Sequence, residues 1–434
     1  MLVNKRLPSR VVVLGTQFVF NIGFYAVIPF LAIHMRDDLL MGSTMIGIVL
    51  GIRTFSQQGM FFLGGLLAER FGYRTLMLLG CAVRIMGYIG LAISETPWPL
   101  IVSACLTGLG GAMFSPCIEA LTAEIDQEEK NRSESIKKLK NKKYSIFTYF
   151  SIIGQIGAVG GPIIGGLLFH WGFGLVAMVC AGIFAGAAII LYGNIPEIKN
   201  KSQGIKKYWK QTIRNHGFLY FSIGYSTYLF SYNQIYMALP KELERIHAPD
   251  TVLGWFFALA SVLVIFLQIP VSKICQRWNI HIVLMLGFLL MALAFLGLAI
   301  GVHDISHEDA ETWRWHLLPA IGFVIFLSLG QMCAVPVAMS LVPRLAMLDA
   351  DTDGTSDISL PMYYGLLASV GGIMVLVGNI FLGILQDWAN SIQSQSGNVW
   401  PLSVSWCMAA LLPTLSAWWM FQSKDLLKNN ENCS

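Results

Sequence analysis

The chain has 434 residues, 55% of them hydrophobic and only 12% charged, about half the charged fraction of a soluble domain. That composition excludes an ordinary water-soluble globule, and a net charge of +4 gives no reason to expect a nucleic-acid partner. Apolar runs of about 20 residues, each long enough to cross a hydrocarbon core of about 30 Å, recur from one end to the other.

In chain order, twelve membrane spans are predicted, at 11–33, 44–67, 75–94, 98–123, 145–169, 174–194, 217–240, 251–272, 282–302, 316–340, 360–386 and 400–421. Span 1 follows Lys5, Arg6 and Arg10, as a secretory signal would. It runs well past a signal h-region of about 7–15 residues, and no small-residue cleavage site follows, so it reads as a retained helix. With the N-terminus inside, the inward segments carry 23 of the 29 Lys and Arg residues and the outward loops carry four: Arg36, Lys241, Arg245 and Arg314. This bias predicts both termini in the cytoplasm. The segment 124–143 reads as a mixed-charge inward loop. Cys81, Cys105, Cys117, Cys180, Cys333 and Cys407 fall within spans, so no disulfide framework is expected.

The chain divides into an N-terminal half (1–194), a basic linker (195–216, with Lys199, Lys201, Lys206, Lys207, Lys210 and Arg214) and a C-terminal half (217–434). Six spans precede the linker and six follow it. A weak repeat at an offset of 207 residues maps Gly47 to Gly254, Arg70 to Arg277 and Gly80 to Gly287. This is the pattern of parallel repeats related by an axis along the membrane normal.

Two glycine-bearing motifs stand out. Gly64-Gly-Leu-Leu-Ala-Glu-Arg-Phe-Gly-Tyr-Arg74 forms a charged turn between spans 2 and 3. In it Gly65 is expected to permit close helix contact, Gly72 a tight turn, and Arg70 and Arg74 to anchor the inner face. On span 5, Gly157, Gly161 and Gly165 recur every four residues with Pro162 beside them, a stripe suited to close packing. Gly65, Glu69, Arg70, Gly72 and Arg74 together resemble the loop motif of major facilitator superfamily transporters. The Gly157–Gly165 run resembles the antiporter motif of drug:proton antiporters in that superfamily, and Thr96–Phe114 is similar to bacterial multidrug exporters of the MdtH type. The resemblance implies two six-helix halves, twelve helices in all, that rock about a central site. It also implies that Glu69 favours the outward-facing state, capping the inner start of span 11 near Pro361. The family usually has Asp at position 69 and a basic residue at position 73, where this chain has Glu69 and Tyr73. Its frequent arginine on span 4 is absent here.

Charges inside the membrane are the sharpest pointers, costing about 2.5–3.5 kcal/mol at a helix centre on insertion scales. Arg53 and Arg84 fall near mid-depth, and Glu119 is the one carboxylate well inside a span. Glu119, with Arg53, is the candidate for proton coupling, set against a role for Glu119 as an ion-pair partner near the interface; Arg84 reads as structural. In the resembled family spans 1, 4, 7 and 10 line the cavity. This makes Gln17, Asn21 and Tyr25 on span 1, Tyr225, Tyr228, Tyr232 and Asn233 on span 7, and Gln331 on span 10 candidate substrate contacts. Tyr236 extends the same stripe. These aromatics suit bulky, semi-apolar or cationic molecules, though interhelical packing explains the tyrosines equally well.

Other chemistries fit less well. Asp349, Asp351 and Asp353 with Gly354 imitate the start of an EF-hand, but position 12 is Leu360, where that loop needs a bidentate Glu. His303, His307 and Glu308 read as an ordinary polar loop, and no Gly-x4-Gly-Lys-Ser/Thr loop marks a primary pump. The reading is a proton-coupled exporter of small amphiphilic compounds in a bacterial inner membrane, and not an enzyme. It needs no cofactor or metal, and its partners are substrate, protons and the lipid bilayer, with a monomer as the functional unit. A single-metabolite or siderophore exporter and an importer are the alternatives within transport, and a membrane enzyme or receptor the alternative outside it. Cysteines introduced within 195–216 should react with an impermeant thiol reagent only from the cytoplasmic side; labelling in intact cells would overturn the topology.

Overall fold

The computed structural model describes residues 8–135, 146–195, 212–302, 314, 316–353 and 360–423. Among these residues there are helices and turns but no strands. The long helices are α1 (Arg10–Asp37), α4 (Tyr73–Ile93), α5 (Pro97–Ser135), α6 (Ile146–Phe169) and α7 (Phe173–Asn194) in the first half. In the second half they are α10 (Thr251–Cys275), α11 (Ile280–Gly301), α12 (Leu318–Asp353), α13 (Leu360–Ser396) and α14 (Trp400–Gln422). These ten are long and apolar enough to cross a membrane. Their backbones bond internally, as hydrocarbon demands. Exposed Ile189, Phe266, Ile269, Ile300 and Leu415 face outward, and exposed Trp98, Trp171, Trp255 and Trp400 lie at helix ends, where indoles favour the membrane interface.

Spans 2 and 7 are built differently. Span 2 is α2 (Ser43–Thr54), a π turn (Phe55–Gly59) and α3 (Phe61–Phe71). Span 7 is α8 (His216–Asn233), a 3-10 turn (Gln234–Tyr236) and the short α9 (Ala238–Arg245). The single helix expected over 217–240 therefore ends at Asn233. Both breaks expose backbone groups that need partners. Ser369 on α13 donates to the Gly59 carbonyl at 2.9 Å, and Gln234 Nε2 donates to the Phe230 carbonyl at 3.4 Å while also reaching Asn379 Oδ1 at 2.7 Å.

Three boundaries differ from expectation. The inward loop predicted at 124–143 is helical as far as Ser135, because α5 extends beyond the membrane. Asp349, Asp351 and Asp353 lie on α12, and a continuous helix cannot wrap them around a cation as an EF-hand loop does. α13 continues to Ser396, ten residues beyond the predicted edge at 386. The basic stretch 196–211, His303, His307 and Glu308 lie outside the described residues.

The weak sequence repeat has a physical basis in close backbone approaches. A Cβ on Gly80 would sit 2.8 Å from the Gly110 carbonyl, and one on Gly110 would sit 2.6 Å from the Gly80 carbonyl. Gly287 and Gly330 make the same reciprocal approach in the second half, at 3.0 and 2.6 Å. Gly47 on α2 presses on the Asn379 carbonyl of α13, and its counterpart Gly254 on α10 approaches the Pro162 carbonyl of α6. Each half thus leans the second helix of its bundle on the fifth helix of the other.

Gly157, Gly161 and Gly165 pack on α1, against Asn21, Tyr25 and the Ala26–Phe30 turn respectively. Backbone atoms of α1 fill the space where side chains would project, so the stripe is a packing surface. Gly165→Val should destabilise the protein by about 1–3 kcal/mol, the usual range for overpacking. Gly160→Val should be nearly silent, since nothing lies within 4 Å of its Cβ position. Thermal unfolding of the two variants side by side checks this; equal shifts would remove the stripe's importance.

Candidate functional site

A cavity of about 270 Å³ lies between the two halves. α1 contributes Gln17, Phe20, Asn21, Phe24 and Tyr25, and α8 with its 3-10 turn contributes Tyr228, Leu229, Tyr232, Asn233 and Tyr236. Span 2 supplies Arg53, Thr54, Gln57 and Gln58, and α5 supplies Ser115, Ile118 and Glu119. The π turn adds one residue to the helical turn, and Gln57 and Gln58, which both line the cavity, fall within it. The lining is completed by Phe150, in the second turn of α6.

Arg53 is buried, 3% exposed. Its guanidinium stands 4.3 Å from the Phe24 ring centroid, its Nη2 donates to Gln57 Oε1, and its Nε has no acceptor. Arg84 is buried behind the cavity, stacked 4.1 Å over Phe20. Its Nε donates to the Thr107 carbonyl at 3.2 Å, while both terminal nitrogens lack acceptors. Among the described residues neither arginine has an ion-pair partner. The cavity wall therefore carries a guanidinium of its own, and that group already covers the Phe24 ring.

The tyrosine stripe divides. Tyr228 and Tyr232 face the cavity, with Tyr236 beyond the helix end. Tyr225 does not line it; it is buried between Tyr228 at 5.3 Å and Phe288 at 6.2 Å. Gln331 is also absent from the lining, and its Oε1 is buried without a hydrogen-bond partner. Asn233 joins the halves. Its Nδ2 donates to Thr54 Oγ1 at 3.2 Å, and its Oδ1 accepts from Asn379 Nδ2 at 3.3 Å. Gln57, Gln58 and Phe24 were not expected at the site. The signal for Gln57 was its position four residues after Arg53, on the same helical face.

The loop motif sits apart from the cavity, at the N-terminal side. Gly72 adopts φ 85° and ψ 154°, a conformation nearly confined to glycine, and so makes the turn as expected. Gly65 does not mediate close contact, because nothing lies within 4 Å of its Cβ position. Its neighbour Gly64 does so instead, facing the Ala112 carbonyl of α5. Arg74 stacks 4.5 Å over Tyr192, and Arg70 lies 5.4 Å over Phe71. Pro361 is the second residue of α13, in its first turn as expected. The side chains of Glu69 and Pro361 lie outside those described.

The opposite end of the bundle is closed by contacts between the halves. Asp387 on α13 accepts from the backbone N–H groups of Ser43 and Thr44 at 2.6 and 2.9 Å. It thereby caps α2, whose first N–H groups have no helical partner. Arg36 bridges to Glu244 at 3.3 Å and to the Pro240 carbonyl at 3.3 Å. Beneath them Arg245 pairs with the fully buried Glu242 at 2.7 Å.

A sequence profile described as Major Facilitator Superfamily matches residues 13–355. The chain is 28% identical over 396 residues to an uncharacterized MFS-type transporter of Mycobacterium tuberculosis, covering 89% of this chain and 88% of that one. It is 28% identical over 351 residues to the multidrug resistance protein MdtH of Proteus mirabilis, covering 80% and 81%. Among solved structures, a peptide transporter, POT, in complex with sulfate superposes with a TM-score of 0.70 at 14% identity, covering 97% of this chain and 95% of that chain. A nucleoside transporter, NupG, gives 0.68 at 13% identity, covering 95% and 99%.

The Asp387 contact generates a test. A carboxylate on a helix N-terminus contributes about 1 kcal/mol, which biases a two-state equilibrium roughly fivefold. Asp387→Asn should therefore widen the distance distribution between spin labels placed across the halves at this end, while Asp387→Glu should do so less. An unchanged distribution in the Asn variant would remove the latch. Ten apolar helices, the cavity between two repeated halves and the matched profile together establish that the chain is an integral membrane transporter of the major facilitator superfamily, and not an enzyme.

Proposed function

We propose that the protein exports small amphiphilic compounds in exchange for protons, as a monomer in a bacterial inner membrane with both termini cytoplasmic. The observation that carries this reading is the cavity between the halves. Its walls alternate aromatic rings with amides, and Glu119 is the carboxylate that lines it. Rings and amides accept molecules with an apolar body and a polar end. A carboxylate in a membrane cavity is the ordinary vehicle for a proton. The named relatives in Proteus mirabilis and Cronobacter sakazakii are multidrug resistance proteins, and the close-packed glycine stripe of α6 resembles an antiporter motif. Alternating access rocks one half on the other around the cavity. In this cycle Glu119, with Arg53 lining the same cavity, couples proton movement to transport, and the Glu69 turn holds the outward-facing state.

A fixed arginine in the wall favours the second reading, an exporter with one class of metabolite as cargo, over a wide drug range. Proteoliposomes with an imposed proton gradient test the main proposal. Substrate addition should drive proton movement through the wild type. Glu119→Gln should abolish that movement while leaving the unfolding temperature within a few degrees. Undiminished proton flux in the variant would assign coupling to another group.

A further inference from the structure

We infer that the cavity receives an amphiphile whose head group is an oxyanion, a carboxylate or a phosphate, and that Arg53 is the residue that selects it. The inference rests on the transport reading and names the chemistry of its cargo.

The argument starts from unanswered charge. Arg53 and Arg84 are both buried in the first half, 3% and 1% exposed. The one hydrogen bond described for Arg53 is to the neutral Gln57, and no ion pair among the described residues includes it. Glu119 lines the same cavity, yet it forms no ion pair with Arg53. The positive charge is thus left for a ligand to balance.

Geometry then says what kind of ligand. The Arg53 guanidinium carbon lies 4.3 Å from the Phe24 ring centroid, and the group donates hydrogen bonds in its own plane, along its nitrogen-bearing edge. That edge has one neutral acceptor, Gln57 Oε1, and an unpartnered Nε. A guanidinium that lines the cavity without an ion-pair partner among the described residues suits the two oxygens of a carboxylate or phosphate. Amide and phenol groups of Asn21, Tyr25, Tyr228 and Tyr232 lie around the same space, able to donate to remaining oxygens while their apolar parts hold the cargo's body. A cation would meet the opposite conditions: repulsion from two arginines, and rings of which Phe24 and Phe20 are already covered by them. Arg84 does not line the cavity. It adds positive potential from behind Phe20 and acts through Arg53's surroundings.

The test is a fluorescence titration of the purified full chain in nanodiscs with matched probes: dansylglycine, its neutral amide, the phosphate ester of dansyl ethanolamine, and the cation dansylcadaverine. Wild type should bind the two anions at least about tenfold more tightly than the amide or the cation. The stronger of the two anionic arms distinguishes carboxylate from phosphate cargo. Arg53→Gln should weaken anion binding about tenfold to a hundredfold, the range for losing a hydrogen bond to a charged group, and leave the amide unchanged. Arg53→Lys should retain most of the preference. The inference is overturned if the cation or amide binds as tightly as the anions, if neither anion binds wild type, or if Arg53→Gln keeps the preference. Should Arg53→Gln not fold, the wild-type ranking and Arg53→Lys still decide. The titration involves no proton gradient and no direction, so loss of proton-coupled flux would leave its result standing.

Discussion

Helices in lipid gain little from hiding apolar surface, because the solvent is as apolar as they are; they associate where backbones approach closely. The seam between span 2 and α13 shows this at several levels. Gly47 meets the Asn379 carbonyl, Gly372 would place a Cβ 2.8 Å from the Gly59 nitrogen, and Gly365 faces Phe62. The two halves therefore touch backbone to backbone along one line. Everything else is arranged about it: the π turn that carries Gln57 and Gln58 is stitched to the seam by Ser369, and Asp387 closes one end of it. A contact made of small residues can also roll without dragging side chains through one another, as two rocking halves require.

The same seam explains how one end can be shut without being locked. Asp387 contributes two charge-assisted hydrogen bonds, and Arg36 adds a partly exposed ion pair with Glu244. The carboxylate expected at position 69 would act on the start of α13 at the other end of the same helix pair. Caps at opposite ends of one seam compete when the halves rock. For both states to be visited, their free energies must differ by no more than a few kcal/mol, which weak polar latches allow and a large apolar interface would not.

Most of the helical architecture was legible in the sequence because hydropathy reports a strong constraint, the thickness of the hydrocarbon core. The breaks in spans 2 and 7 were not, since Phe55-Ser-Gln-Gln-Gly59 and Asn233-Gln-Ile-Tyr236 carry no proline and read as ordinary helix. Facing was legible only where a stripe was regular. Gly157, Gly161 and Gly165 were expected to pack closely and do, whereas the adjacent Gly64 and Gly65 point about 100° apart on a helix, and only the position of α5 shows which one is in contact. Tyr225 and Tyr228 share a stripe in sequence, yet Tyr225 turns to Phe288 in its own half. Asp387 lies one residue beyond a predicted span edge, and its partner is a backbone end some 340 positions away, for which a single sequence holds no signal.

The charge of the cargo also constrains how a proton can be coupled to it. An anion held by Arg53 would share its cavity with Glu119; for scale, any two like charges about 10 Å apart at an effective dielectric constant of about 20 repel by roughly 1.7 kcal/mol, somewhat over tenfold in affinity. That repulsion favours the anion and a proton on Glu119 binding together, which is the thermodynamics of cotransport. Exchange requires the reverse: the proton must have left Glu119 when the cargo is aboard, and must return with the empty cavity. An antiporter of anions therefore works best with its proton site as far from the head-group site as one cavity allows and with no ion pair between them. Among the described residues Arg53 and Glu119 line the same cavity from different helices and form no bridge, which satisfies the second of these conditions. A neutral or cationic cargo would impose no such separation, so the spacing of these two side chains and the sense of coupling are a single physical question.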